Sequence, residues 1–508
     1  MGAHFLLILM TALFRHWGYL TSINDLGVFD QAIWGLLNGE PFLNTILFNQ
    51  KINWLAVHFH PVLLIFAPFY LLYSSPFWLI LAQALALSLS AWPIYLLAKR
   101  VNNSDKTALI WAVIFLVNPF LLNASVWDFH PITLAVPFVA LGFLAVETKN
   151  FKIMICSALV ILLCKEHLGI MVVGFGFLWF IKNRQWKPSI ALVIIGFVHF
   201  YVVLNIIMPF FSPTGQHIMI SMESRFNRYG WLGPTINDIV STILFHPYFV
   251  LKKIFIQMGG SIYLFLLLLP FIGFSILGWP YLFPAAADLA VNMLSANPMP
   301  RSPISYHSVT LVPILTVAAI YGIKKASKWI NRFTATEISG LILVVSIVTG
   351  YLLAPFPLPA AVNYWAPVCF MSRPDSKIEE IQALLGEDTS ISAQANVAPH
   401  FSQRKEIYQF PNKTESVDAI ILWLETPTKN VHNNSGKKEN RRFIMGMLDN
   451  HLQMDRVDFV RSIEMLLKSK EFSVVYWNDP WLVLKRGDDN HQDVSGIRNK
   501  LEKLRREW

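Results

Sequence analysis

The stretch Ile153–Ile181 reads IMICSALVILLCKEHLGIMVVGFGFLWFI. It runs for 29 residues, apolar on both sides, with Lys165, Glu166 and His167 at its centre. A bilayer-crossing helix needs about 20 mostly apolar residues, so the run is long for one span and short for two. It reads either as one long helix or as two short helices that meet at the charged point. Ionisable residues at such a depth cost about 2.5–3.5 kcal/mol each on insertion scales, which drives them to face a cavity or one another. Lys165 and Glu166 therefore form either a structural pair or part of a polar cavity wall. A segment of this kind belongs to a membrane protein.

The sequence on either side agrees. Of 508 residues, 54% are hydrophobic and only 14% charged, against roughly a quarter charged in a soluble protein. Mean hydropathy is +0.46. The deficit lies in residues 1–355, where apolar runs alternate with short polar loops, whereas residues 372–488 have soluble composition and 489–508 form a charged tail. Apolar runs at 77–98, 107–127, 131–147, 189–211, 254–276, 308–323 and 336–354 are span candidates, with 278–294 a further, Pro-interrupted one. The expected fold is an all-α polytopic membrane domain of about ten or eleven helices followed by a small soluble α/β domain. The first run, 3–14, is short for a span. It lacks the basic leader and small-residue cleavage site of a signal peptide, and its shortness fits a start lying further upstream.

The net charge of +9 does not mark a nucleic-acid partner, because the cations sit in short loops beside apolar runs. Lys99, Arg100 and Lys106 share one loop, and Lys149 and Lys152 another. Lys182, Arg184 and Lys187 share a third, and Lys324, Lys325, Lys328 and Arg332 a fourth. Placing all four in the cytoplasm makes 153–181 cross twice. Residues 15–60, 128–130, 212–248, 297–307 and everything after 355 then face outside the cytoplasmic membrane. Arg15, Lys252 and Lys253 fit this orientation less well. The basic tail (Lys500, Lys503, Arg505, Arg506) reads as a solvated helix end. Cys156 and Cys164 are about 12 Å apart along a helix, too far to bridge, and Cys369 stands alone, so neither a disulfide nor a cysteine metal site is expected.

Polar chemistry gathers on the outer side. In Asn24–Trp34, Asn24 or Asp25 reads as the cap of an amphipathic helix lying on the membrane, with Leu26, Phe29, Ile33 and Trp34 on its apolar face. The same carboxylates, Asp25 and Asp30, are candidate bases. Phe-His-Pro occurs three times, at Phe59-His60-Pro61, Phe129-His130-Pro131 and Phe245-His246-Pro247. Pro is favoured in the first turn of a helix, and that alone accounts for most of the pattern. The chemical reading is that His58, His60, Asp128 and His130 converge with Asp25 and Asp30 to bind a divalent cation or a phosphate. Arg301 and His307, in the loop Pro300–His307, are candidates for holding an anionic headgroup.

These residues also carry a family resemblance. Asp25–Trp34, His58–Pro68, Trp127–Pro131, Lys165–Gly169, Tyr306–Pro313 and Ile391–Pro411 resemble the predicted bacterial and archaeal membrane proteins grouped as domain of unknown function 2079. That family usually has Lys-Glu-Asp where this chain has Lys165-Glu166-His167, so no acidic role carries over to position 167. The family in turn looks like a branch of the type C glycosyltransferases, multi-span enzymes that take a sugar from a polyprenyl-phosphate donor. Their first outer loop carries a catalytic Asp in an Asp-Glu-Gly-x-Tyr helix. Asp25-Leu26-Gly27-Val28-Phe29, followed by Ala32, Leu36 and Gly39, is similar to it, with Leu26 in place of the second acidic residue. The resemblance implies that Asp25 is the base, with Asp30 and Asp128 as alternatives. It implies a lipid-linked sugar donor as partner, with His58, His60, His130, Lys165, Glu166, Arg301 and His307 as substrate contacts. The residues mark no particular cofactor, and a divalent cation is compatible with them.

In the soluble part, Ser376–Leu385 reads as a helix, Ser390–Ala393 and Ala419–Leu424 as strands, Asp455–Leu467 as a helix, and Phe472–Trp477 with Trp481–Leu484 as a hairpin. Glu425–Asn440 reads as a loop. No phosphate-binding glycine motif or nucleophile elbow occurs, and this domain either recognises an acceptor or covers the membrane site. A transporter or lipid flippase also suits intramembrane charges and Pro-broken helices, and a non-catalytic sensor is the third class. The absence of an inverted repeat and the polar residues at the outer boundary favour the enzyme.

Overall fold

The computed structural model describes residues 1–216, 218, 228–329, 333–354, 372–425, 449, 451–469, 471–487 and 494–507. Arg332, Cys369 and most of Glu425–Asn440 fall outside them. Five described helices are long and apolar enough to cross a membrane: Phe77–Asn102, Pro131–Thr148, Trp186–Phe211, Phe274–Leu294 and Ala335–Leu353. Two bent pairs raise the number to seven: Asp105–Leu116 with Pro119–Val126, at 49°, and Ile236–Phe245 with Pro247–Gln257, at 93°. Fewer helices reach full length than there are apolar runs, because the runs are interrupted. Pro119 and Pro247 each follow a bend, and the 254–276 run is split at Gly259, which takes a positive φ of 75°. Such positions withdraw a backbone donor or leave helical geometry.

Residues 153–181 form two helices, Phe151–Cys164 and Leu168–Asn183, of 14 and 16 residues. At 1.5 Å per residue they are about 21 and 24 Å long, each short of the roughly 30 Å hydrocarbon core. Between them Lys165 is fully extended, with φ −169° and ψ 149°.

Contacts divide the chain into two compact units. The first contains Met1–Leu9, Leu55–Leu63 and Leu81–Trp365. Its helix Leu311–Ala326 is buried on nearly all sides. Glycine lets this helix and Phe274–Ala285 approach closely: a Cβ at Gly278 would lie 2.0 Å from the Ala318 carbonyl oxygen, and one at Gly322 the same distance from that of Phe274.

The second unit contains Met10–Trp54, Leu64–Ile80 and Ala366–Trp508. Its centre is a five-stranded mixed sheet in the order Ile407–Gln409, Ile391–Ala393, Ala419–Trp423, Trp481–Arg486, Phe472–Asn478. The first three strands are parallel, and the last two form the expected antiparallel hairpin. The helix Ser376–Leu385 has the expected bounds and is capped by Asp375, while Asp455 caps Arg456–Lys468. The tail is more than a solvated end: Ser495–Glu507 buries Ile497, Leu501 and Leu504 in the core made with Ile420, Leu422 and Phe459. Early residues complete the unit. Ile23 N–H donates to the Ala395 carbonyl at 2.9 Å, and the Thr45 hydroxyl donates to the Ile407 carbonyl at 2.8 Å. Thr45 thereby satisfies the sheet's edge strand, which would otherwise present unpaired backbone groups.

Leu501 is 2% exposed. Leu501→Ala is expected to destabilise the second unit by about 2–5 kcal/mol. The exposed control Val457→Ala should stay within about 0.5 kcal/mol of wild type. Thermal unfolding of the full chain in detergent, followed by limited proteolysis of this unit, measures both.

Candidate functional site

The break at Lys165 organises the polar part of the first unit. His58 and His60 precede the turn that starts at Pro61, and their rings stack at 5.3 Å and 26°. His58 Nδ1–H donates to Glu166 Oε1 at 3.0 Å, and the Phe59 backbone N–H donates to Glu166 Oε2 at 3.1 Å. Both oxygens of a carboxylate buried at a helix break are thus engaged. The Lys165 ammonium lies 5.9 Å from the centroid of the Tyr306 ring. Tyr306 in turn stacks on His130 at 3.4 Å and on His307 at 4.2 Å. Arg228 Nη1 approaches His307 Nε2 at 3.4 Å, and the charges of Lys165 and Arg228 both act on His58 and His307. Two cations, one carboxylate, four imidazoles and a phenol ring therefore form one cluster, and the charge of Asp288 also acts on Lys165.

The other candidates are distributed differently. Asp128 is buried next to this cluster in sequence, and its backbone carbonyl accepts from His130 Nδ1–H at 3.0 Å. Gln83 Oε1 accepts from the His130 backbone N–H, which fixes that turn. Arg301 is engaged elsewhere: its guanidinium donates to the carbonyls of Met258, Asn292 and Ser295 and so caps the end of the helix Ala286–Leu294. His167, where the family pattern has an acid, forms a 3.0 Å pair with Asp288. Of the three Phe-His-Pro motifs, the first two bury their histidines, while His246 is exposed at the 93° bend. Arg228 belongs to no motif, so nothing local marks it.

His58, His60 and Glu166 each offer one ligand atom within 4.8 Å of the others. Two imidazoles and a carboxylate are a chemically sound set for a divalent cation. Lys165 and Arg228 oppose a cation there and favour an anion.

Asp25 and Asp30 belong to the second unit. The cap at the start of this segment is Ser22, not Asn24 or Asp25: its hydroxyl accepts from the Asn24 backbone N–H at 3.2 Å. One π-helical turn, Ile23–Gly27, carries Asp25 with its side chain partly exposed, before the helix Val28–Leu37 begins. That helix is no surface amphipath. Val28, Phe29, Asp30, Gln31, Ala32, Ile33 and Gly35 are all buried, so polar as well as apolar sides are covered. Asp30, 1% exposed, accepts from Tyr70 at 2.7 Å and Gln403 at 3.0 Å on Oδ1, and from Ser402 at 2.5 Å on Oδ2. Burial raises its pKa from 3.8 to about 6 against the opposing effect of those three hydrogen bonds. Asp30 also lines a cavity of about 710 Å³ within this unit.

A family model described as "Predicted membrane protein (DUF2079)" matches residues 15–447. The chain belongs to that family. It is a multi-pass membrane protein, as its apolar helices require. Among solved structures, this DUF2079 protein is similar to ArnT from Cupriavidus metallidurans bound to undecaprenyl phosphate. The two share 12% identity at a TM-score of 0.48, over 96% of this chain and 98% of that one. No curated protein matches this DUF2079 chain.

The raised pKa of Asp30 sets a sign for stability. Between pH 3.8 and about 6 the folded state holds a proton that the unfolded chain releases, so stability falls as pH rises through this window. The loss is on the order of 3 kcal/mol by pH 7. Asp30→Asn is expected to remove that slope, while Asp30→Ala leaves buried donors unpaired and costs about 1–3 kcal/mol at every pH. Melting curves of wild type and both variants from pH 4.5 to 7.5 test this.

Proposed function

We propose that this protein transfers a sugar from a polyprenyl-phosphate donor to an acceptor hydroxyl at the outer face of the cytoplasmic membrane. The observation that carries the reading is the cluster of Lys165, Arg228, His58, His60, His130 and His307, of which Lys165, His60, His130 and His307 are buried. An anion in such surroundings is best supplied by a lipid that brings its phosphate with it. The family resemblance supplies the chemistry. The acceptor oxygen attacks the anomeric carbon, the bond from that carbon to the phosphate oxygen breaks, and polyprenyl phosphate leaves. The acceptor's proton passes to a carboxylate.

Asp25 is our choice for that base. It lies in a π turn, an element frequent at functional sites, and is partly exposed, whereas Asp30 is 1% exposed. In this reading Asp30 positions the helix that follows Asp25. A lipid flippase is the second reading, favoured by the same charged break between two short helices.

Asp25→Asn should lower transfer by about 100-fold or more at unchanged protein level. Lys165→Met should weaken binding of polyprenyl phosphate by about tenfold to a hundredfold. The assays are release of labelled sugar from the lipid donor in membranes and equilibrium binding in nanodiscs. Full transfer by the Asp25 variant would remove that residue from the mechanism. Lipid binding without transfer by the wild type, over a broad panel of donors and acceptors, would leave the flippase. Unchanged lipid binding in Lys165→Met would take the phosphate away from the cluster.

The orientation is testable separately. An alkaline phosphatase fused after Ser372 should be active, and a cytoplasmic reporter fused after Lys328 should be active as well. An inactive phosphatase would put the soluble domain in the cytoplasm.

A further inference from the structure

The cavity of the second unit has a wall chemistry different from that of the cationic cluster. Its volume of about 710 Å³ falls within the roughly 300–1,000 Å³ of small-molecule sites. Trp17, Trp34 and Tyr73 line it, with Tyr73 63% exposed. Four carboxyl groups line it as well: Asp30, Asp375, Glu379 and Glu387. Arg404 is the one Lys or Arg among the described lining residues, and two of its three nitrogens donate to backbone. Nε donates to the Phe401 carbonyl at 2.9 Å, and Nη1 to that of Thr389 at 2.8 Å. A phosphate entering here would meet four carboxyl groups against a single guanidinium.

What such a wall does favour is a ring with an apolar face and hydroxyls around its edge. Aromatic side chains offer flat apolar area at low entropic cost. Carboxylates and amides accept from and donate to hydroxyls in fixed directions. Gln382 already gives its Nε2–H to the His400 carbonyl, which orients its amide at the cavity rim.

We propose that this cavity is a saccharide-binding subsite for the acceptor, taking neutral or amino-bearing sugars and rejecting phosphorylated ones. The inference rests on the transferase reading for the word acceptor, but saccharide binding itself requires no transfer.

The test uses the full chain in nanodiscs, with cellobiose, maltose and glucosamine as probes and glucose 6-phosphate as the anionic counter-probe, followed by saturation-transfer NMR. The neutral and amino sugars should give transfer signals that glucose 6-phosphate does not. Tyr73→Ala and Glu379→Gln should weaken binding about three- to tenfold. Both side chains are exposed, so melting temperature should hold. Binding of none of the three sugars, equal binding of glucose 6-phosphate, or unchanged affinity in both variants would each overturn the subsite. Transfer by the wild type with an acceptor KM indifferent to Tyr73→Ala would overturn the subsite alone. Saccharide binding with no transfer would overturn the transferase reading and leave the saccharide site standing.

Discussion

An ionised side chain in an apolar medium must find a partner, and much of the first unit is arranged around that constraint. Lys165 and Glu166 interrupt what would otherwise be a continuous apolar helix. The chain opens at Lys165 rather than bury the pair along a helix face. Glu166 then takes the imidazole of His58 and the backbone N–H of Phe59, which ties the break to a turn more than a hundred residues earlier. One residue further on, His167 meets Asp288. Each charge is matched by a contact that also fixes a distant segment, so the demand for pairing becomes tertiary structure.

The second unit solves the same problem for a single carboxylate. Asp30 sits in a helix buried on all sides, and its desolvation is offset by Tyr70, Ser402 and Gln403. These donors come from parts of the chain as far apart as residue 70 and residue 403. The offset is partial, as the raised pKa shows. A carboxylate held this way is an organiser of structure, and it contrasts with Asp25, five residues earlier, which keeps part of its surface open. The two acids look alike in the sequence, and burial separates them.

The two sets of polar residues also differ in sign. The membrane unit gathers Lys165, Arg228 and imidazoles around Glu166, while the cavity of the second unit sets four carboxyl groups against one arginine. A difference of this kind lets each set of residues discriminate among ligands by repulsion as well as attraction.

Local signals in the sequence determined the membrane class and most elements of the soluble domain, and offered a break at Lys165 as one of two readings that the structure decided. Charge depletion, apolar run length and periodicity act over a few turns, which is why Ser376–Leu385 was legible down to its ends and the hairpin to within two residues of its own. The sequence also named His58, His60, His130, Lys165 and Glu166 as candidates, because a polar residue at an apolar boundary is conspicuous. Only the tertiary structure decided that Arg228 and Tyr306 join them, that Arg301 is spent on carbonyls, and that Ser22 rather than Asp25 caps its turn. It alone decided that residues 10–54 complete the C-terminal sheet. Those outcomes depend on hydrogen bonds and stacking between residues as much as several hundred positions apart. No short-range periodicity encodes such pairings, because what selects them is the cost of leaving a buried polar group unpaired once the whole chain has folded.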